Sequence, residues 1–219
     1  MIKSYKIRLI PTAEQEQMMR DSMNAARFVW NWGLAYQMER FRQGEPHLSG
    51  YDMKKVLTEY KQQPGMEWLN SISTETLSMT LLDLANAYER FFAIQEKGEK
   101  YSRQTIERAK RQGRKLTFYD MQGHPKFKKK DKAKPSFYAR YNQFYFTPKG
   151  VVLEKIGKVK YQTDYQLPIV NKKGQNTTKF TNPRVHYEGG KWMLSFGMEI
   201  VCNNQAPTLN GFAVVPRPN

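Results

Sequence analysis

The spacing of apolar residues changes along the chain. Before residue 97 they recur mainly at three- and four-residue steps, whereas after residue 135 they alternate with polar residues. The first spacing places apolar side chains on one face of an α-helix, and alternation places them on one face of a β-strand. The pattern therefore predicts a helical first part and a sheet-rich second part.

A short strand followed by a long helix is predicted at the start. Lys3 to Ile10 alternates apolar and basic residues and then meets Pro11, which is typical of a strand with one face on a core. Thr12 and Gln15 have the spacing of a capping box, which begins a helix. The apolar stripe that follows predicts a helix to Arg42; its members are Met19, Met23, Ala26, Trp30, Gly33 and Gln37.

Two further helices complete a predicted bundle. One runs from Tyr51 to Gln62 and is stopped by Pro64, and the other begins at Ser73 or Thr74. The second carries an apolar stripe made of Leu77, Leu81, Leu84, Tyr88, Phe91 and Phe92. Stripes of this kind are core packing in most proteins, so we assign them no chemistry.

The second part of the chain predicts antiparallel strands. Gly189 and Gly190 separate two alternating runs, 179–187 and 191–201, which is a strong hairpin signal. One face of the second run is apolar, with Trp192, Leu194, Phe196, Met198 and Ile200. We predict an α+β fold in which a helical bundle is inserted into an antiparallel β-barrel or curled sheet, to which the N-terminal strand adds.

Composition places the chain among folded proteins with a basic surface. Of 219 residues, 39% are hydrophobic and 13% aromatic, shares that are too high for a disordered chain. Cys202 is the single cysteine, so we expect no internal disulfide. Because His47, His124 and His186 lack metal-ligand spacing, we expect no metal and no cofactor.

The excess of positive charge predicts a polyanionic partner. Thirty-six Lys and Arg face 20 Asp and Glu, which gives a formal charge of +16, and the isoelectric point is about 9.8. Anionic membrane is the competing partner. A transmembrane helix needs roughly 18 consecutive apolar residues, and the sequence has no such run and no signal peptide. Nucleic acid is therefore favoured over a membrane.

Much of this charge lies in one segment. Residues 97–134 hold 14 basic and four acidic residues, and an aromatic run follows them. We predict a surface that contacts nucleic-acid backbone, formed by Lys110, Arg111, Arg114, Lys115, Lys126, Lys128, Lys129, Lys130, Lys132 and Lys134. Residues 101–115 of the segment are compatible with a helix, but they show no clear apolar stripe, so we expect the segment to be exposed or ordered only by a partner. The alternative is a solvated linker.

Four blocks occur in an order that resembles a known family. The first is the opening strand with Pro11, Thr12 and a Glu- and Gln-rich start, followed by ARFVWNW from Ala26. The others are LDLANAYERFF from Leu82, PKFKKK from Pro125 with Ser136 and Phe137, and GGKW from Gly189. Together they resemble the N-terminal part of TnpB, the transposon-encoded RNA-guided nucleases from which the compact Cas12 effectors descend.

The resemblance implies a division into domains. Residues 1–10 and 121–203 would form a wedge β-barrel, residues 11–120 a helical recognition domain with a basic insertion, and residues 204–219 a tail. It also implies binding of a guide RNA and a target DNA in the prokaryotic cytosol or nucleoid. Further implied partners are a chain carrying a RuvC nuclease or a second copy of this chain.

Residue roles follow from the same resemblance. Contacts to RNA or to the guide–target heteroduplex would come from Lys6, Arg8, Arg27 and Asn31. A short DNA motif would be read near Tyr51, Thr74, Ser78, Tyr141 and Asn142. Since many family members carry longer polar side chains at the positions of Thr74 and Ser78, we expect a different or weakly read motif.

Cleavage by this chain is not expected. The family continues into a RuvC nuclease whose first strand carries an aspartate soon after a glycine, but residues 211–219 contain none, and the four-cysteine zinc ribbon of many relatives is also missing. After residue 133 the acidic residues are Glu154, Asp164, Glu188 and Glu199. Two alternatives stay open: the recognition half of a split, active endonuclease, and a nucleic-acid-binding protein that uses no guide.

Overall fold

A computed structural model describes residues 2–98, 100–130, 134–139, 144–147, 149–164, 167 and 180–199. The helices are α1 (Ala13–Arg42), α2 (Gly50–Tyr60), α3 (Thr74–Glu96) and α4 (Arg103–Arg111). The strands are β1 (Ile2–Ile10), β2 (Ser136–Tyr138), β3 (Tyr145–Thr147), β4 (Gly150–Leu153), β5 (Gly157–Gln162), β6 (Phe180–Glu188) and β7 (Lys191–Glu199). The α+β prediction is confirmed.

The first helix begins and ends where the sequence predicts. The Thr12 hydroxyl accepts a hydrogen bond from the Gln15 backbone N–H at 3.3 Å, and the Gln15 side chain accepts one from the Thr12 N–H at 3.1 Å. This reciprocal capping box satisfies two N–H groups that a helix start leaves without partners. The Ser73 hydroxyl caps α3, whereas α2 begins one residue earlier and ends two residues earlier than predicted.

The basic segment contains the helix α4 within residues 101–115, where the sequence is compatible with a helix but shows no clear apolar stripe. Ser102 caps α4 by accepting a hydrogen bond from the Thr105 N–H at 3.3 Å. Ala109 is the buried residue of this helix, at 3% exposure. One small buried side chain among charged neighbours gives almost no apolar stripe in the sequence. Ser102, by contrast, is a residue type that commonly caps helices.

All strands pair antiparallel in the order β2-β6-β7-β1-β5-β4-β3. The predicted hairpin is confirmed, because Glu188 pairs with Lys191 across Gly189 and Gly190. Both glycines have positive φ, at 56° and 76°, as a type I′ turn requires. In β7 the predicted apolar residues from Trp192 to Met198 are buried, while Ile200 and Cys202 lie outside the described residues.

The sheet curls around an aromatic core. Phe146 of the edge strand β3 lies 5.5 Å, between ring centroids, from Phe180 of β6, which neighbours the opposite edge. Phe196 of β7 contacts both rings. Among the described residues the edge strands β2 and β3 are not paired, so this part of the chain forms a curled half-barrel.

Helix α1 joins the sheet to the helices. Its Met19, Met23 and Ala26 pack in the core of the sheet, whereas Val29 packs with residues of α2 and α3. Because α1 contributes to both cores, it fixes the position of α3 over β2. The division into wedge and recognition domains stays a prediction. Among the described helices, none combines the length and apolar character needed to span a membrane.

Candidate nucleic-acid interface

A cleft of about 340 Å³ opens where α1 and α3 meet β2, β6 and the segment 126–130. Among the described residues, its lining includes six basic side chains and one acidic side chain. The basic ones are Arg20, Arg27, Lys128, Lys130, Lys134 and Arg184, and the acidic one is Asp83. We call this the cationic cleft. Such an arrangement attracts phosphate groups.

The segment 126–130 is held against α1 by hydrogen bonds to its backbone. Trp30 Nε1–H donates to the Lys126 carbonyl at 2.9 Å. The Asn31 side-chain amide donates to the Lys128 carbonyl at 3.1 Å and accepts from the Lys128 N–H at 2.8 Å. Trp30 and Asn31 thus satisfy backbone groups of this irregular segment that a neighbouring strand would satisfy in a sheet.

The segment's lysines divide into anchored and exposed ones. The Lys128 ammonium lies 3.8 Å from the centroid of the Trp30 ring, a cation–π contact. Burial lowers the pKa of Lys128, although Asp83 opposes that change. The Lys126 ammonium donates to the Tyr119 carbonyl, and burial lowers its pKa too. Lys129 and Lys130 are exposed, and Lys130 lines the cationic cleft.

An ion pair joins the helices to the sheet inside the cleft. Arg184 Nη2 donates to both oxygens of Asp83, at 2.9 and 2.8 Å. The Arg184 guanidinium also lies 5.9 Å from the Tyr138 ring centroid. Side-chain exposures of 30% and 31% leave both partners accessible to a ligand.

Sequence reasoning missed three charged residues of the cleft: Arg20, Asp83 and Arg184. Arg20 could have been found, since positions 20, 24, 27 and 31 share one face of a helix. Its guanidinium lies 5.1 Å from the Tyr187 ring centroid. Nothing in the local pattern distinguishes Asp83 or Arg184 from other polar residues on the surface of a helix or strand.

Lys6 and Arg8 lie on the outer face of the sheet. In the register of the strands, Lys6 is opposite Ser195, which is opposite Arg184 of the cleft. Lys6 forms an ion pair with Glu188 and thereby lowers the pKa of that carboxyl. A second depression of about 370 Å³ on this face shares Lys134 and Arg184 with the cationic cleft. The outer face therefore continues the basic surface.

The other predicted backbone contacts lie apart from the cleft. None of Lys110, Arg111, Arg114 and Lys115, all of which the structure describes, lines it. Arg114 donates to both oxygens of Asp120, at 2.7 and 2.8 Å, and holds the pKa of that carboxyl well below its usual range. Arg111 pairs with Glu107 at 3.5 Å. Lys132 lies outside the described residues.

The structure describes three of the five residues predicted to read DNA. Tyr51 is 70% exposed at the start of α2, and Thr74 is exposed at the start of α3. Ser78, one turn further along α3, is buried at 8% exposure. Tyr141 and Asn142 lie outside the described residues. Their role in motif reading stays a prediction.

Carboxylates, histidines and cysteines are not clustered in the part of the chain that the structure describes. No three of them lie close enough there to hold a metal ion. His124 is buried within a group of aromatic rings, and its Nδ1–H donates to the Pro125 carbonyl at 2.8 Å. The rings and this hydrogen bond hold the imidazole in place, while its Nε2 is buried without a hydrogen-bond partner.

Comparison with protein families identifies one matching model, described as a helix-turn-helix domain, over residues 1–46. The described part of that stretch is built from β1 and the single 30-residue helix α1. The next helix, α2, begins at Gly50. The structure therefore shows a strand and a helix in the matched range, with the following helix beyond it.

Two relatives are named as RNA-guided DNA endonucleases. The chain is 27% identical over 198 residues to InsQ of Escherichia coli (strain K12), covering 90% of this chain. It is 26% identical over 107 residues to a protein of Streptomyces pristinaespiralis, covering 49% of this chain. The chain spans 40% of the length of the first relative and 27% of the second.

These similarities confirm the resemblance inferred from the four sequence blocks. The chain is similar to two proteins named as RNA-guided DNA endonucleases, and its residues 1–46 match a model described as a helix-turn-helix domain. The chain spans less than half the length of either relative.

Proposed function

We propose that this chain binds a guide RNA and its target DNA, with the cationic cleft as the main seat for the RNA backbone. The observation that carries the proposal is the excess of six basic side chains over one acidic side chain in the cleft. The homology to RNA-guided endonucleases supports RNA as the polyanion. Base pairing of the guide would supply sequence specificity, while the protein contacts backbone and shape.

The contacts support different roles for different parts of this basic surface. Trp30 and Asn31 fix the backbone of segment 126–130, so that Lys130 reaches the cleft at little further cost in conformational entropy. Lys6 and Arg8 would extend the contact over the outer face of the sheet. We propose that Lys110, Arg111, Arg114 and Lys115 contact a more distant part of the same RNA.

We propose further that this chain does not cleave DNA itself. Two-metal phosphodiester cleavage needs several carboxylates that converge on the metal ions. Among the described residues, no three carboxylates, histidines or cysteines lie close enough together to hold a metal ion, which supports this proposal. A non-cleaving complex could block transcription at its target, sequester guide RNA, or pair with a separate RuvC chain.

A second candidate function is the recognition half of a split, active endonuclease. It is favoured by the length of the relatives, because this chain spans 40% of one protein named as an endonuclease and 27% of the other. A reading frame directly downstream that begins with a Gly-x-Asp strand and ends in paired Cys-x-x-Cys motifs would favour it. Cleavage of target DNA only when that second chain is added would establish it.

The deciding experiment is to purify the chain and sequence the RNA that accompanies it. We expect one structured transcript that ends in a variable guide. A variant of the cleft that combines Arg27→Ala, Lys130→Ala and Lys134→Ala should lose most of that RNA. A mixture of cellular RNAs, bound as tightly as any one transcript at the same salt concentration, would contradict guide binding and leave a guide-independent binder.

A further inference from the structure

The cationic cleft contains a carboxylate that phosphate binding does not require. Asp83 is the one acidic side chain among the described residues of its lining, and a negative charge there repels phosphate. Its two oxygens share one donor, Arg184 Nη2. Since an ionised carboxylate has about four lone-pair sites, Asp83 can accept further hydrogen bonds from a ligand.

The chemistry of the cleft makes Asp83 its strongest acceptor. The basic side chains around it offer only donors, and donors suit phosphate oxygens equally well in RNA and DNA. The group that distinguishes the two polymers at every nucleotide is the ribose 2′-hydroxyl. A hydroxyl that donates to a carboxylate forms a charge-assisted hydrogen bond, which is stronger than a neutral one.

The neighbours of Asp83 favour a sugar at this position. Arg184 contacts Asp83 directly, and Lys128 lies near enough that both Asp83 and Arg184 alter its pKa. Phosphates held by these two cations would therefore flank the carboxylate. The sugar joins neighbouring phosphates in the backbone, so it is the part of the nucleotide that would face Asp83.

We propose that Asp83 accepts a hydrogen bond from a ribose 2′-hydroxyl and so makes the cationic cleft select RNA over DNA. This inference rests on the proposed function, because it assumes that nucleic acid occupies the cleft. It adds a residue that determines which sugar is bound. A role for Asp83 that is only structural, as the partner of Arg184, would change the binding of both polymers alike.

The test compares one labelled single-stranded RNA with its 2′-fluoro counterpart of the same sequence. Fluorine removes the donor and retains a sugar conformation like that of RNA. We expect the wild-type protein to bind the 2′-hydroxyl strand about tenfold more tightly. Equal affinity for the two strands would overturn the proposal without any variant.

The variant Asp83→Ala assigns the effect to this residue. It should reduce the ratio of the affinities for the 2′-hydroxyl and 2′-fluoro strands to less than about twofold. The control is Asp21→Ala, which replaces an exposed aspartate of α1 outside the cleft and should keep the wild-type ratio. Asp83→Asn keeps the shape of the side chain and should narrow the discrimination in part, which covers the case that the alanine variant does not fold. Full discrimination by a folded Asp83 variant would overturn the proposal.

The same data separate this inference from the proposed function. If RNA binding does not depend on Arg27, Lys130 and Lys134, the proposed function fails. If binding depends on those residues but ignores the sugar, only the role of Asp83 fails. Discrimination that follows the base content of the strand would assign Asp83 to a base amino group and overturn the proposal for the sugar.

Discussion

Asn31 and Lys128 hydrogen-bond reciprocally, the side-chain amide of Asn31 acting on both backbone polar groups of Lys128. The two residues are 97 positions apart in the chain. Helix α1 therefore contributes residues to the core of the sheet and, through Asn31, also holds the segment 126–130 in place. The nitrogen and the oxygen of the Asn31 side-chain amide are both hydrogen-bonded to the backbone of Lys128. That Asn31 contacts RNA stays a prediction.

Replacing Asn31 tests this clamp. The variant Asn31→Ala leaves the Lys128 N–H and carbonyl without their partners, so we expect the free energy of unfolding to fall by about 1 to 2 kcal/mol in urea denaturation. The control is Gln17→Ala, whose exposed side chain donates to Asp21 on the same helix and should change stability by less than about 0.5 kcal/mol. Equal effects would show that the clamp contributes nothing.

A double-mutant cycle measures the contact between Trp30 and Lys128. Trp30→Leu removes the aromatic face, and Lys128→Met removes the charge while it keeps an unbranched side chain of similar length. We expect a coupling of about 0.5 to 2 kcal/mol in the free energy of unfolding, the range of partly desolvated cation–π pairs. Strictly additive effects would mean that the 3.8 Å contact carries no energy.

Local features of the fold could be predicted from sequence because they depend on nearby residues. The capping box at Thr12 and Gln15 and the hairpin at Gly189 and Gly190 each involve residues within a few positions of one another. Helix α4 was compatible with the sequence but not marked by the apolar pattern, because its one buried residue is Ala109. Periodicity identifies a face of an element only when several large apolar side chains occupy it.

The cleft could be predicted only in part. The lysine run pointed to Lys128, Lys130 and Lys134, and the resemblance to Arg27. The Asp83–Arg184 pair joins residues 101 positions apart, and no pattern within α3 or β6 marks either residue. Which polar faces meet is decided by the packing of α1 and α3 on the sheet, and a single sequence does not reveal that packing.

The pH dependence of stability provides a test of the buried histidine. Burial lowers the pKa of His124 from its ordinary value of 6.5, opposed by its hydrogen bond to Pro125. As the pH falls below 6.5, His124 binds a proton in the unfolded chain but not yet in the folded chain. The free energy of unfolding therefore decreases as the pH drops. We expect a lower urea midpoint at about pH 5.5 than at about pH 7.5.

The variant His124→Phe keeps a ring for the edge-to-face contacts with Phe91 and Phe118 and removes the titrating group. Its urea midpoint should depend less on pH than that of the wild type. Part of the dependence should persist, because burial also lowers the pKa values of His47 and His186. An unchanged dependence would show that His124 titrates alike in both states.

Gly150 tests the close approach of two strands. A Cβ atom at this position would lie 2.6 Å from the Val159 carbonyl oxygen of the neighbouring strand β5. Because backbone cannot move aside cheaply, we expect Gly150→Ala to destabilise the protein by about 1 to 3 kcal/mol in urea denaturation. Lys149→Ala, at an exposed position of the same turn, should have little effect. A stable Gly150→Ala variant would show that β4 and β5 separate readily.

The central claim is that the cationic cleft seats the RNA backbone. Its most direct test is the salt dependence of binding to a labelled single-stranded RNA, measured between about 50 and about 200 mM salt. The cleft variant is Arg27→Ala, Lys130→Ala and Lys134→Ala. The control removes the same charge from three exposed residues outside the cleft, one in α2, one in α3 and one at the C-cap of α3: Lys55→Ala, Arg90→Ala and Lys97→Ala.

Each lost phosphate contact should reduce the slope of log affinity against log salt by about 0.7. The cleft variant should therefore lose about two units of slope, whereas the control should keep the wild-type slope. Equal slopes for the cleft variant, the control and the wild type would contradict the account, because the positive charge would then be spread over the surface without a seat for RNA.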